Sequence, residues 1–113
     1  MDSSTAICGL SALAHPGRLD IYRLLVKAGS SGVAAGDIAR SLAVLPNSLS
    51  PNLNVLKHAG LIDGRRTGRS IIYTARYDRM RELMAFLLED CCVGSPEICE
   101  GVAESLDRVL CCS

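Results

Sequence analysis

The stretch that most constrains the fold is a short polar helix that comes directly before a basic, β-prone segment. Leu49, Leu53 and Leu56 repeat at i, i+4 and i+7, which gives a helix one apolar face. This spacing predicts a helix over residues 47–59. Pro51 is compatible with that helix because it falls in or just past the first turn, where most amides have no acceptor within the helix.

Two β-prone segments follow this helix and flank a Thr-Gly turn. They span residues 61–66 and 69–75, and they predict a β-hairpin with arginines near its tip. The chain is therefore expected to be mainly α with one small β-hairpin, and to form a single domain over residues 1–113. The remaining apolar periodicity predicts helices over residues 4–14, 16–28, 34–42, 77–91 and 97–110.

A short helix, a tight turn, a second helix and a basic hairpin together have the layout of a winged helix-turn-helix, which binds DNA. The second helix of such a pair fits the major groove, while arginines on the hairpin meet flanking phosphates or the minor groove. The Asn and Ser residues of that helix, taken alone, would equally suit cap chemistry on a solvated helix. Together with the hairpin they favour contacts with double-stranded DNA. The predicted contacts are Asn47, Ser48, Ser50, Asn52 and Lys57 on the helix and Arg65, Arg66 and Arg69 on the hairpin.

Charge is distributed unevenly along the 113 residues, although the net charge is zero. Residues 57–81 hold seven basic and two acidic residues, whereas residues 89–113 hold six acidic residues and one arginine. Such polarity can present one basic surface to a polyanion. No run of about 18 apolar residues and no signal-peptide pattern occurs, so we expect a cytoplasmic protein without a membrane span.

Four segments of the chain resemble, in order, the signature segments of the ArsR-type (arsenical resistance, ArsR/SmtB) winged-helix repressors. These segments are "ALAHPGRLDIYRLL", "DIARSLAV", "NSLSPNLNVLKHAGLI" and "GRSIIYTA", and the likeness extends over about residues 6–99. The resemblance implies a homodimer with the first and last long helices at the two-fold interface. It also implies an operator with two half-sites, and repression that is relieved when an inducer binds.

Two sensing sites known in this family are missing here. The arsenic site formed by a Cys-x-Cys before the recognition helix corresponds to Ala34, Ala35 and Gly36 in this chain. The zinc sensors of the family use Asp and His residues on the last long helix. The equivalent helix, predicted over residues 77–91, contains no histidine.

Three other cysteines, Cys91, Cys92 and Cys99, resemble the C-terminal Cys-triad variant of the arsenical repressors. Trivalent arsenic is thiophilic and prefers three thiolates in a pyramid, whereas structural zinc takes four tetrahedral ligands. The resemblance therefore implies As(III) as the inducer, with Sb(III) or methylated As(III) as related ligands, and a metalloid-binding segment over residues 91–113. The same thiols, if they only packed in the helix interface, would be ordinary buried cysteines.

Several alternatives remain open from the sequence. The triad also suits a thiol-redox or persulfide-sensing repressor. A structural zinc domain without a sensing role is a further alternative, although three thiols supply one ligand fewer than such a site takes. A small thiol enzyme is poorly supported because the chain has no Cys-x-x-Cys and no βαβ pattern, so we expect no enzymatic activity. Cys8 is predicted to lie in the core, His15 at a helix terminus and His58 on the surface, while the terminal Cys111 and Cys112 have no assigned role.

Overall fold

The computed structural model describes residues 1–89, and its elements follow the order predicted from the sequence. The expected mainly helical fold with a small hairpin is confirmed. No helix within residues 1–89 is long and apolar enough to cross a membrane. The predicted helix over 97–110 and the end of the helix predicted to reach residue 91 lie outside the described residues. The elements are α1 (Ser3–Leu13), α2 (Pro16–Ala28), a 3-10 turn (Gly29–Ser31), β1 (Val33–Ala34), α3 (Ala35–Leu42), α4 (Pro46–His58), β2 (Ile62–Thr67), β3 (Ser70–Ala75) and α5 (Tyr77–Leu88).

The hairpin strands belong to a three-stranded antiparallel sheet of order β1-β3-β2. Strand β1 was not predicted, because two residues are too few to show an alternating pattern. It pairs Val33 with Tyr73. Gly32, at a φ of 74°, allows this approach, since a Cβ atom there would lie 2.6 Å from the carbonyl oxygen of Tyr73. Helix α3 consequently begins at Ala35 rather than at the predicted residue 34.

The hydrophobic core is built around the apolar face of α4. Leu49, Leu53 and Leu56 of that helix are buried, as their spacing predicted. They belong to one cluster with Leu25 of α2 and Ile38 of α3, both fully buried. Because α4 is held by three leucines on one side, its opposite face is left free for other contacts.

Helices α1 and α2 are joined through polar contacts at the start of α2. The Nδ1 atom of His15 accepts from the backbone N–H groups of Gly17 and Arg18 at 3.1 and 3.4 Å, which confirms its helix-terminus role. The Nε atom of Arg18 donates to the Ala12 carbonyl oxygen at 2.6 Å. These bonds fix the corner between the two helices.

The prediction that Cys8 lies in the core is wrong for the described chain, because its side chain is exposed. Helix α1 buries Ala6, Gly9 and Ala12, which recur every three residues, and Cys8 falls outside that row. A helix composed of small and apolar residues gives no clear signal of which stripe faces inward.

Candidate DNA-binding surface

A tight turn sets the position of α4 relative to α3. Ala43 adopts a left-handed conformation with φ 54°. Its backbone N–H group donates to the carbonyl oxygens of Ala39 and Arg40. The N–H group of Val44 donates to the Ala39 carbonyl oxygen at 3.0 Å. These hydrogen bonds end α3 with a left-handed residue, a position that glycine usually occupies. Only three residues then separate the end of α3 from the start of α4.

Helix α4 begins one residue earlier than predicted, at Pro46, with Leu45 as its N-terminal cap. The Leu45 carbonyl accepts from the N–H groups of Ser48 and Leu49 at 3.0 and 3.1 Å, and the apolar side chain of Leu45 adds no capping hydrogen bond. Pro51 therefore lies inside the helix, just past its first turn, which is within the range predicted for it. It removes the N–H group that would bond four residues back, a loss the helix tolerates because its leucines anchor it to the core.

Four of the five predicted contact residues on α4 are exposed: Asn47, Ser48, Ser50 and Lys57. The Ser50 hydroxyl donates to the Pro46 carbonyl oxygen at 3.3 Å. The side chain of Asn47 makes no hydrogen bond to any of residues 1–89. Its carboxamide therefore keeps both a donor and an acceptor available for an external partner.

Asn52 differs from the other predicted contacts because it is half-buried. Its Nδ2 atom donates to the Ser48 carbonyl oxygen at 3.4 Å. The same atom would lie 3.2 Å from a Cβ at Gly17, so the missing side chain of Gly17 makes room for it. Asn52 thus packs between α4 and the start of α2 instead of projecting outward.

The hairpin carries three exposed arginines, Arg65, Arg66 and Arg69, close to its tip. Thr67 pairs with Ser70, and Gly68 supplies the positive φ of 63° at the turn. Within residues 1–89 the ion pairs of arginine involve other positions, so these three guanidinium groups have no carboxylate partner there. They give the hairpin, whose strand β2 packs against α4, a basic tip.

The base of the hairpin is fixed by a second set of polar contacts. The guanidinium of Arg76 lies 3.7 Å from Asp63 and 2.8 Å from Asp78. The hydrogen bond from Arg76 lowers the pKa of Asp78, and the same bond raises the pKa of Arg76. The hydroxyl of Tyr77 donates to the Val26 carbonyl oxygen at 2.8 Å, which ties the start of α5 to α2. These contacts attach the β2–β3 hairpin, which we call the wing, to the helical core.

Sequence reasoning did not single out Leu45, which is 71% exposed at the start of α4. The available signal was its position, because a polar residue usually occupies the N-terminal cap. Sequence reasoning also did not place Cys8 beside His58, although both line one surface groove. No group of three metal-binding side chains occurs among residues 1–89. Cys91, Cys92 and Cys99 lie outside those residues.

Comparisons with known proteins concern this same part of the chain. The helix-turn-helix domain family matches residues 13–65. The chain is 32% identical over 78 residues to the HTH-type transcriptional regulator YgaV of Escherichia coli. This alignment covers 69% of this chain and 77% of YgaV. It is 33% identical over 78 residues to the biofilm growth-associated repressor of Agrobacterium fabrum, covering 69% and 64%.

A solved structure is similar in both sequence and fold. It is the solution NMR structure of a homodimeric winged helix-turn-helix DNA-binding domain from Mycobacterium bovis, described as a possible ArsR-family transcriptional regulator. The two chains are 28% identical with a TM-score of 0.63, and the alignment covers 79% of this chain and 81% of the other. The matched family region contains α3, the turn and all of α4.

Proposed function

Because the chain belongs to the ArsR family of winged helix-turn-helix transcriptional regulators, we propose that it is a cytoplasmic, homodimeric repressor of a specific operator. The observation that carries this proposal is the exposed polar face of α4 beside a wing whose arginines have no carboxylate partner within residues 1–89. A neutral polar helix suits base edges, and unpaired guanidinium groups suit phosphates.

Each element has a distinct task in this proposal. Helix α4 enters the major groove, where Asn47 and Ser48 meet base edges near its N-terminus. Lys57 and the wing arginines contact phosphates and supply most of the salt-dependent affinity. Ser50 and Asn52, which each donate one bond to a backbone carbonyl of α4, contact the DNA through the hydrogen-bonding groups that remain on their side chains.

The apolar surface of α1 supports the proposed dimer. This helix carries no charged residue, and it exposes Ile7 by 62% and Leu10 by 40%. On α5, Leu87 is 54% exposed. A second copy of the chain would bury such side chains and place two recognition helices on successive half-sites of the operator.

We further propose that As(III) bound by Cys91, Cys92 and Cys99 releases the repressor, with Sb(III) or methylated As(III) as related inducers. The donor set fits the ligand, because three thiolates satisfy a pyramidal thiophilic centre. Cys91 and Cys92 are poorly placed to bridge each other, since neighbouring Cα atoms are about 3.8 Å apart and disulfides usually need about 4.4 Å or more. A coupling free energy of about 1 to 3 kcal/mol is enough to change operator affinity several-fold to a hundred-fold.

Binding of the reduced protein to a fluorescent fragment of its own promoter, titrated with arsenite, tests both steps. We expect specific binding and release near stoichiometric arsenite. The Cys91→Ser, Cys92→Ser double variant should bind DNA but ignore arsenite, whereas the control Cys8→Ser should respond like the parent protein. Specific binding that arsenite leaves unchanged would remove the metalloid step only. If peroxide releases the protein from DNA and lowers the mass of the protein by two hydrogens, the thiol-redox alternative is favoured.

A further inference from the structure

Leu45 is the most exposed large apolar side chain among residues 1–89, and it stands at the N-terminal end of the recognition helix. It caps α4 through its backbone carbonyl alone, without a side-chain hydrogen bond. A Ser, Thr, Asp or Asn at this position would cap the helix with its side chain and stabilise it more than leucine does. The stability of α4 therefore does not explain why an exposed leucine occupies this position.

The chemistry of the first turns of α4 indicates which bases this end of the helix can recognise. No arginine or lysine occurs between Leu45 and Leu56, so this stretch has no side chain for the bidentate contact to guanine. The carboxamide of Asn47, which has no hydrogen-bond partner within residues 1–89, matches the N6 and N7 atoms of adenine. An apolar side chain at the N-terminal cap, two residues before Asn47, matches the C5-methyl group of thymine, which is the apolar feature of the major groove.

We propose that Leu45 is a specificity-determining residue that contacts the C5-methyl group of thymine in A·T base pairs of each operator half-site, beside an adenine bound by Asn47. The inference rests on the proposed function, because it requires α4 to enter the major groove. Leu45 is the N-terminal cap of α4, directly before its first turn. The N-terminal residues of a helix in the major groove are those that meet base edges.

The test uses the reduced full-length protein and an operator duplex defined by footprinting on its own promoter. Each thymine in the footprint is replaced in turn by deoxyuridine, which removes the methyl group and keeps base pairing. Burial of one methyl group is worth about 0.8 kcal/mol, so we expect about fourfold weaker binding for each critical position. Leu45→Ala should bind the parent duplex more weakly and be insensitive to the same replacements. The matched control is Leu19→Ala, which shortens another exposed leucine, on α2.

The outcomes separate this inference from the proposed function. If binding is independent of sequence, so that no footprint can be obtained, both the proposed function and the role of Leu45 are overturned. Specific binding that deoxyuridine leaves unchanged at every position, in the parent protein, would overturn the role of Leu45 alone. Equal sensitivity of the parent protein and Leu45→Ala to deoxyuridine replacement would also overturn that role. Loss of the dimer in sedimentation of Leu45→Ala would overturn it as well, because it would assign Leu45 to a contact between protein chains. Selective loss of methyl sensitivity in Leu45→Ala, but not in Leu19→Ala, would establish it.

Discussion

Removing two wing arginines should change the salt dependence of operator binding by an amount that follows from the geometry. Arg66 and Arg69 are exposed and have no carboxylate partner within residues 1–89. A dimer presents four such groups, and each phosphate neutralised contributes about 0.9 to the slope of log affinity against log salt. The Arg66→Ala, Arg69→Ala double variant should therefore have a slope shallower by about 3.5. Between 50 and 200 mM salt, its affinity should fall about 100-fold less than that of the parent protein.

Fluorescence anisotropy with one operator duplex at several salt concentrations measures this slope directly. The control variant Arg23→Ala, Lys27→Ala removes the same charge from exposed positions of α2. We expect its slope to match that of the parent protein. If the wing variant is folded and its slope also equals that of the parent protein, then the wing does not contact phosphates and the assignment of Arg66 and Arg69 is refuted.

Three further predictions concern stability. Tyr77→Phe should lower the free energy of unfolding by about 1 kcal/mol through loss of its bond to Val26, whereas Tyr22→Phe should raise it by a similar amount, because the buried Tyr22 hydroxyl has no partner among the described residues. Urea denaturation of both variants at equal protein concentration measures this difference, and a loss with Tyr22→Phe would contradict it. Burial raises the pKa of Tyr22 to about 12, so the unfolded chain loses this proton first and stability falls as the pH rises from about 10 to 12. The advantage of Tyr22→Phe should therefore grow between pH 9 and 11, and a constant difference would refute the shift. Ala43→Gly should raise the melting temperature, because glycine adopts the left-handed conformation of residue 43 without steric cost, and a decrease would show that the turn is not strained.

The helices and the hairpin were predictable because their signals are local. The leucine spacing of α4 and the β-prone segments around the Thr-Gly turn each occupy one continuous stretch, and the structure confirms both. Strand β1 was not predictable, since it exists only where Gly32 lets the chain approach β3. The burial of α1 was also misjudged at Cys8, because a helix without charged residues lacks a polar face to mark the outside.

The candidate surface was predicted in outline but not in detail. The exposed positions of α4 follow from helical periodicity, and Asn47 and Lys57 lie where that periodicity places them. The half-buried position of Asn52 depends on the neighbouring helix α2, whose Gly17 leaves space for the carboxamide. Contacts of this kind join residues far apart in the chain, so no pattern within α4 encodes them.

The side chains of α4 therefore differ in what they can offer DNA, although the sequence makes them similar. Ser50 and Asn52 each donate one hydrogen bond to the backbone of their own helix. Ser50 is thereby left as an acceptor, and Asn52 keeps one N–H and its Oδ1, so each has fewer groups to offer a base. The side chains of Asn47 and Leu45 make no such bond within residues 1–89. Both lie at the N-terminal end of α4, which is the end that would meet base edges in the proposed complex. Sequence discrimination should consequently concentrate at the N-terminal end of α4, while the rest of the helix and the hairpin arginines supply affinity and alignment.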